Sequence, residues 1–456
     1  ASDVYKKQHK RRMKMNKNLF RKMLGASLIA MISINTVGCA SGQAAEAQSS
    51  VKDTQKGSNQ EGDLIELEFW YSWQDKVAEN NQELTEKFNE TVGKENNIRI
   101  TAEYQGSYDE LHTKLKSAFI ANEQPAISVM EIASIKSFAD AGMIEPLESY
   151  ISDEKESQFL PGLMDNSYVD GKLYGVPYLR STPIFYYNKT LFDQAGITSA
   201  PTNWEELAST SKQLESIGVK GFGFLNDIWH FEAYTQGNGG NIVNADETEA
   251  IFNQAPAVEA VEFLKEGIEK YNFKYYSGNN ASDTRTTEIM NQKIGMWVDS
   301  TGSLNNTLDI AGQNGYEIGT AFIPCGKEYS VPTGGCNIVM TSKLTDEEKE
   351  AAALFINFMT EEEQVVYSHK KTGYLPTTIS STTHPEIEAL YESTPQFKVA
   401  VDQLQYGHGR PMNKAYGEAY NVYINALDQI FTTDVKVQDT LDKAAMEATK
   451  LLQESK

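Results

Sequence analysis

The sequence predicts an α/β fold divided into two lobes, and three observations carry that prediction. Short β-forming runs alternate with amphipathic helical stretches along most of the chain. At 456 residues the chain is too long for one hydrophobic core of ordinary size. The apolar-aromatic run Pro183-Ile184-Phe185-Tyr186-Tyr187 reads as a buried strand where the chain passes from one lobe to the other. Hydrophobic residues at 40% and aromatics at 10% are enough to fill two cores, which removes disorder as the default.

Taken in order, residues 64–70 alternate, with Ile65, Leu67 and Phe69 on one side, and form a first strand. Trp70, Tyr71 and Trp73 gather at its carboxyl end. Residues 77–88 are an amphipathic helix in which Leu84 and Phe88 meet at i, i+4. A strand at 98–102, a helix at 108–121 and a strand at 126–130 ending at Glu131 follow. This alternation implies a parallel sheet, whose ligands sit beyond the carboxyl ends of the strands. Past the crossing strand, 204–217 is a helix opened by Thr202-Asn203 and Glu205-Glu206. Residues 219–225 and 294–298 are strands; 256–271, 346–359, 361–370 and much of 416–452 are helical. Crossings near 180–181, 298–299 and 359–360 divide one lobe (63–180 plus 299–359) from the other (181–298 plus 360–456).

The formal charge is −22, although the first 38 residues hold nine Lys or Arg and a single acid. The remainder is therefore more acidic than the total suggests. Such a surface repels phosphate backbones and anionic lipid, which excludes nucleic acid and membrane surfaces as partners. Residues 6–22 are basic, and 23–34 form an apolar run too short to span a bilayer. With the small residues before Cys39, residues 1–38 resemble a bacterial lipoprotein signal, although Thr36 stands where that motif usually has Leu. The resemblance implies a chain anchored through lipidated Cys39 on the extracellular face of the cell membrane. Residues 39–62 read as a flexible tether.

No hydrolase, zinc-protease or phosphate-loop motif is present, and the six histidines are scattered. Cys325 and Cys336 are eleven apart across turn residues; that spacing permits a disulfide without requiring one. Two thiols lack the further ligands of a zinc site.

The stretches FWYSW (69–73), QGSYDELHTKL (105–115), STPIFYYNK (181–189), DSTGSL (299–304), PTGGCNIVM (332–340) and KTGYLP (371–376) together resemble the extracellular solute-binding proteins of ABC importers, family 1. The resemblance runs from about residue 64 to the C-terminus. It implies a two-lobed periplasmic-binding-protein-like fold of type II, monomeric, with no catalytic residue, cofactor or metal. Its implied partners are a small polar solute and the transmembrane subunits of an ABC permease. QGSY, ISVME (127–131), DSTGSL and KTGYLP are most similar to the branch that binds glycerol 3-phosphate; a sugar or oligosaccharide is the alternative cargo. Carried over by position, the resemblance puts Tyr108, Glu131, Ser181, Trp229, Ser300, Gly335, Tyr374 and Arg410 in the cleft. Trp70, Tyr71, Trp73, Thr301 and Gly334 are additional contacts.

Each implied role has a chemical basis. An Arg fork binds phosphate, and Ser hydroxyls and Gly N–H groups donate to its oxygens. Glu131 accepts from glycerol hydroxyls, and Trp229 covers the carbon skeleton. Without the resemblance, Glu131 reads as a helix N-terminal acid, Tyr374 as a packed turn residue, and Arg410 as a surface partner of Glu418. Arg180 and His408 are the runner-up phosphate partners. An exported glycoside hydrolase using two carboxylates is the remaining class, and no motif supports it.

Overall fold

The computed structural model describes residues 63–278 and 280–455, so the basic leader, Cys39 and the tether lie outside the described residues. The first strands are β1 (Ile65–Tyr71), β2 (Ile98–Tyr104), β3 (Ile127–Glu131), β4 (Val176–Ser181) and β5 (Pro183–Asn188). They are followed by β6 (Lys220–Leu225), β7 (Phe273–Tyr276), β8 (Ile294–Ser300), β9 (Ile318–Ala321) and β10 (Gly334–Met340). These make two five-stranded sheets, one per lobe, ordered β2-β1-β3-β10-β4 and β9-β5-β8-β6-β7. Parallel pairing holds through β1, β2 and β3, as the crossovers require, but β10 enters antiparallel between β3 and β4. The second sheet repeats the plan: β6, β7 and β8 are parallel and β5 runs against β8 and β9.

Local sequence explains most of these elements. In β1 the alternation buries Leu67, Phe69 and Tyr71 and turns Glu66 and Glu68 outward. In β3 four successive residues are buried, as in a central strand covered on both faces. The helices that matter below are α1 (Asp75–Glu90), α2 (Tyr108–Ala121), α3 (Trp204–Glu215), α4 (Ile228–Gln236) and α5 (Ala255–Lys270). After them come α6 (Ala281–Met290), α7 (Leu304–Gln313), α8 (Asp346–Met359), α9 (Glu362–Thr372), α10 (Tyr416–Thr432) and α11 (Val437–Glu454). Ser107 with Glu110 starts α2 and Thr345 with Glu348 starts α8, each by a capping box that satisfies otherwise orphaned N–H groups. Asn203 caps α3, as its position before the helical run predicts. α10 and α11 close the second core through Tyr423, Leu427, Ile430, Leu441 and Leu452.

Three sequence expectations change. Val176–Ser181, a stretch carrying Pro177 for which the sequence predicts no strand, is a fully buried strand. It lies at the edge of its sheet, where a residue without an N–H is tolerated, and its ladder with β10 shifts register between Gly335 and Asn337. The chain does not return to the first lobe at 298–299. β9 pairs with β5, so the second lobe keeps the chain through Ala321, and the return comes before β10. The last crossing also falls later than 359–360. α9 lies against α1 of the first lobe, through Lys371 to Glu79 at 2.9 Å and Lys87 to Glu363 at 3.1 Å. Tyr374 packs in the first core, whereas Leu375 packs with Ile184, Tyr186 and Phe397. At the first crossing Ser181 ends β4 of the first sheet, and Thr182 alone separates it from β5 of the second.

Candidate functional site

Backbone register assembles the site before any side chain is considered. Cys336 lies opposite Glu131 and Gly334 opposite Ser181, so the ends of β3, β10 and β4 form one rim of the first lobe. Ser300, at the end of β8, lies opposite Pro183 at the start of β5. Thr301 ties the two together, donating its N–H to the Thr182 carbonyl at 3.0 Å and accepting the Thr182 N–H on Oγ1 at 3.4 Å. Gln403 closes the joint, donating to Thr182 Oγ1 at 3.3 Å and to the Pro183 carbonyl at 2.6 Å.

Two glycines are dictated by contacts at this rim. Gly335 has φ +80°, and a Cβ there would meet the Leu179 carbonyl oxygen at 2.0 Å. A Cβ on Gly334 would meet the Trp229 ring at 2.4 Å, so the missing side chain makes room for that indole. Trp229 Nε1 donates to the Thr333 carbonyl at 3.2 Å, fixing a second-lobe aromatic to the crossing segment.

Arg410 stands between the lobes. Its Nη1 donates to Glu131 Oε1 at 2.6 Å, at the end of β3 in the first lobe. Its Nε and Nη2 reach Glu232 Oε2 at 2.8 Å and Oε1 at 3.0 Å, on α4 in the second lobe. The Tyr416 hydroxyl donates to the same Glu232 Oε1. The backbone is held as firmly: Arg410 N–H donates to Asn166 Oδ1 at 2.9 Å, and Asn166 Nδ2 donates to the Arg410 carbonyl at 2.8 Å. The surface pair with Glu418 is therefore not formed. Burial opposes the guanidinium charge, but Glu232 and Glu131 more than offset it and hold Arg410 above its ordinary range. Burial raises the Glu131 carboxyl, with Arg410 and the Ala133 N–H at 3.1 Å acting against it.

The first-lobe wall is aromatic. Trp73 is 41% exposed, has φ +71°, and meets Tyr108 edge to face with ring centroids 5.3 Å apart. A bulky residue in the left-handed region is strained, and such strain gathers at functional sites. The Tyr108 hydroxyl is buried without a hydrogen-bond partner among the described residues. Burial, then neighbouring Cys336 and Tyr374, push its titration well up. Tyr374 is itself buried beneath Gly302, where a Cβ would meet its ring at 2.6 Å, and its carbonyl accepts His369 Nδ1–H at 2.6 Å.

Other expected contacts lie elsewhere. Tyr71 points into the first core, and its hydroxyl accepts Gln82 Nε2 at 3.1 Å. Trp70 packs against that core and donates to Glu68 at 3.0 Å. The alternation that buries Phe69 carries Tyr71 inward too, leaving Trp73 as the exposed aromatic of the three. Ser300 is partly buried, its Oγ accepting the Gly302 N–H at 3.1 Å; Ser181 is buried at the end of β4, opposite Gly334. Thr301 is committed to the crossing. Arg180 is not available as a phosphate partner. It is fully buried, donating to the Gly334 carbonyl at 2.9 Å, Thr333 Oγ1 at 3.0 Å, Asn337 Oδ1 at 3.2 Å and the Leu163 carbonyl, and burial pushes it down to about 10. His408 is exposed on the short strand Gly407–His408, which pairs with Val331–Pro332. Cys325 and Cys336 form no disulfide among the described residues, the former lying near the Thr202 carbonyl and the latter buried in β10. A groove of about 380 Å³ beside Tyr187, Tyr316 and Gln396 contains none of the expected contacts.

Glu232, Tyr416 and Asn166 are the contributors that sequence reasoning missed. Glu232 offered a signal, being a lone acid inside the aromatic helix WHFEAY. The other two had none, since neither residue type nor spacing announces a partner hundreds of positions away.

Two α/β bodies joined by crossing strands, with a polar, aromatic-walled junction drawing on both, define the class of solute-binding proteins. The model of the bacterial extracellular solute-binding protein family matches residues 83–398, and the chain belongs to that family. It is a binding protein of the ABC-importer type, not an enzyme. The chain is 25% identical over 418 residues to the sn-glycerol-3-phosphate-binding periplasmic protein UgpB of Pectobacterium atrosepticum, covering 85% of this chain and 91% of that one. Among solved structures, it is similar to UgpB from Mycobacterium tuberculosis in complex with glycerophosphocholine, with TM-score 0.76, 23% identity and 86% and 99% coverage. It is comparably similar to the cyclic alpha-maltosyl-1,6-maltose binding protein of Arthrobacter globiformis, with TM-score 0.73, 24% identity and 86% and 100% coverage. These two structural likenesses establish the fold.

Proposed function

We propose that the chain is the receptor of an ABC importer for glycerol 3-phosphate or a related glycerophospho compound, anchored outside the cell through Cys39 and handing its cargo to a permease. The observation that carries this reading is Arg410. Its side chain keeps 9% exposure at the lobe junction, against 0% for Arg180 and 1% for Arg285, and its end edge is held by Glu131 alone, a side chain that a ligand can displace. Glu131 beside it suits glycerol hydroxyls, and Gly335, Ser181 and Ser300 line the adjoining rim. The curated likeness to a glycerol-3-phosphate-binding protein supports the same cargo class. Because contacts come from both lobes, ligand stabilises the closed arrangement by its differential affinity for it.

Calorimetric titration with glycerol 3-phosphate, glycerophosphocholine and maltotriose tests this reading. Heat is expected from a glycerophospho compound and is lost in Arg410→Ala. Heat from maltotriose alone rejects it. That second reading, a sugar receptor, is favoured by the exposed Trp73 and its Tyr108 neighbour, which offer a stacking wall for a sugar ring.

A further inference from the structure

We infer that Glu232 is a specificity-determining residue, which fixes the charge class of the ligand by permanently neutralising Arg410. This rests on the phosphate-bearing cargo proposed above.

A guanidinium offers two edges. Glu232 occupies the side edge with both oxygens, at 2.8 and 3.0 Å, and is only 2% exposed. Tyr416, also buried, braces it from behind. Glu131 takes a single Nη1–H at the end edge and is 17% exposed. The two carboxylates are therefore not equivalent. Displacing Glu232 would bury an uncompensated charge and strand the Tyr416 hydroxyl, whereas Glu131, the more exposed of the two, can turn towards water or a ligand hydroxyl. An incoming phosphate takes the end edge from Glu131 and leaves Glu232 in place.

The electrostatic consequence is direct. Arg410 and Glu232 cancel, so the phosphate meets a good hydrogen-bond fork without net attraction, and Glu131 beside it leaves the cluster with an excess negative charge. Asp109 and Asp227 approach from the two lobes near Tyr420, whose titration is pushed up to about 12 by burial, then Asp109 and Glu131, with Arg410 opposing. A phosphate monoester, dianionic above pH 7, is repelled by this surplus more than a monoanionic diester is. The site thus selects glycerophosphodiesters over glycerol 3-phosphate.

The probes are glycerol 3-phosphate and its methyl diester, which share a skeleton and differ in charge, titrated by calorimetry at pH 8. The wild-type chain is expected to bind the diester more tightly; equal or tighter binding of the monoester overturns the inference without any variant. In Glu232→Gln the ratio of the two dissociation constants should move by roughly tenfold or more towards the monoester, as removal of one nearby charge predicts. Glu232→Asp, which keeps the charge, should retain the wild-type preference. A Glu232→Gln ratio unchanged from wild type, or Asp and Gln shifting it alike, overturns the role of charge. If wild type binds neither compound but binds maltotriose, the glycerophospho reading falls and this inference with it; binding of either with an unmoved ratio overturns this inference alone.

Discussion

Arg180 and Arg410 are both buried guanidiniums near the lobe junction, and they meet the demands of burial in opposite ways. Arg180 is surrounded by neutral acceptors: two backbone carbonyls, a threonine hydroxyl and an asparagine amide. Arg410 is surrounded by carboxylates from both lobes. Neutral acceptors cannot be exchanged for a ligand without tearing backbone, because they are the structure. Of the two carboxylates on Arg410, the more exposed Glu131 can step aside while Glu232 stays. The contrast teaches that burial alone does not mark a binding residue; the kind of partner does.

The comparison can be broken most severely at Arg180. Arg180→Met leaves four acceptors unpaired in the first-lobe rim and should cost about 3–5 kcal/mol. Urea denaturation with an unchanged m-value reads this out, and a loss below about 1 kcal/mol would show that Arg180 is not a fastener. Gly335→Ala, on the same rim, forces a side chain into positive φ and against the Leu179 carbonyl. It should cost about 3 kcal/mol, measured as a drop in thermal midpoint, with the rim distorted even where the fold survives.

Acidification sharpens the contrast from another side. Burial lowers His369 to about 4 and His112 to about 3 from the ordinary 6.5. A depressed folded value means that the folded state binds fewer protons, so stability is full above pH 6.5 and is lost as pH falls towards 4. His369 accounts for about 3 kcal/mol of this at most, and His369→Gln should flatten the slope of stability against pH. Glu131 runs the other way. Its carboxyl is raised above 4.5, so its contribution weakens as pH rises through the window just above that value. The smallest effect belongs to Trp73→Ala, within about 1 kcal/mol of wild-type stability, because strain relief offsets the lost edge contact with Tyr108. A larger change in ligand affinity than in stability would mark Trp73 as a binding platform.

The alternation in β1, the caps of α2 and α3 and the apolar run of β5 are local, and sequence shows them. The late return through β9 and the packing of α9 on α1 are not local, since they depend on strand pairing and ion pairs across the fold. The site divides in the same way. Glu131 pairs with Arg410, Tyr108 neighbours Tyr374, and Trp229 lies against Gly334, while Gly335 shows its reason in a positive φ. Tyr71 was misplaced because period-two alternation continues one residue further than the aromatic cluster suggests. Glu232 escaped because a buried acid inside an aromatic helix reads as a core anomaly until its partner, 178 positions away, is known.

Thr182 is the whole of the link between β4 and β5, and both its amide and its carbonyl are engaged by Thr301. A joint one residue long has no slack to uncoil. Swinging the jaws about it requires both bonds to let go together, and until they do the bodies stay in register. The pivot therefore works as a detent rather than a spring: motion there should come as a jump between seated positions, timed by the rupture of the threonine pair and of the Gln403 bonds beside it.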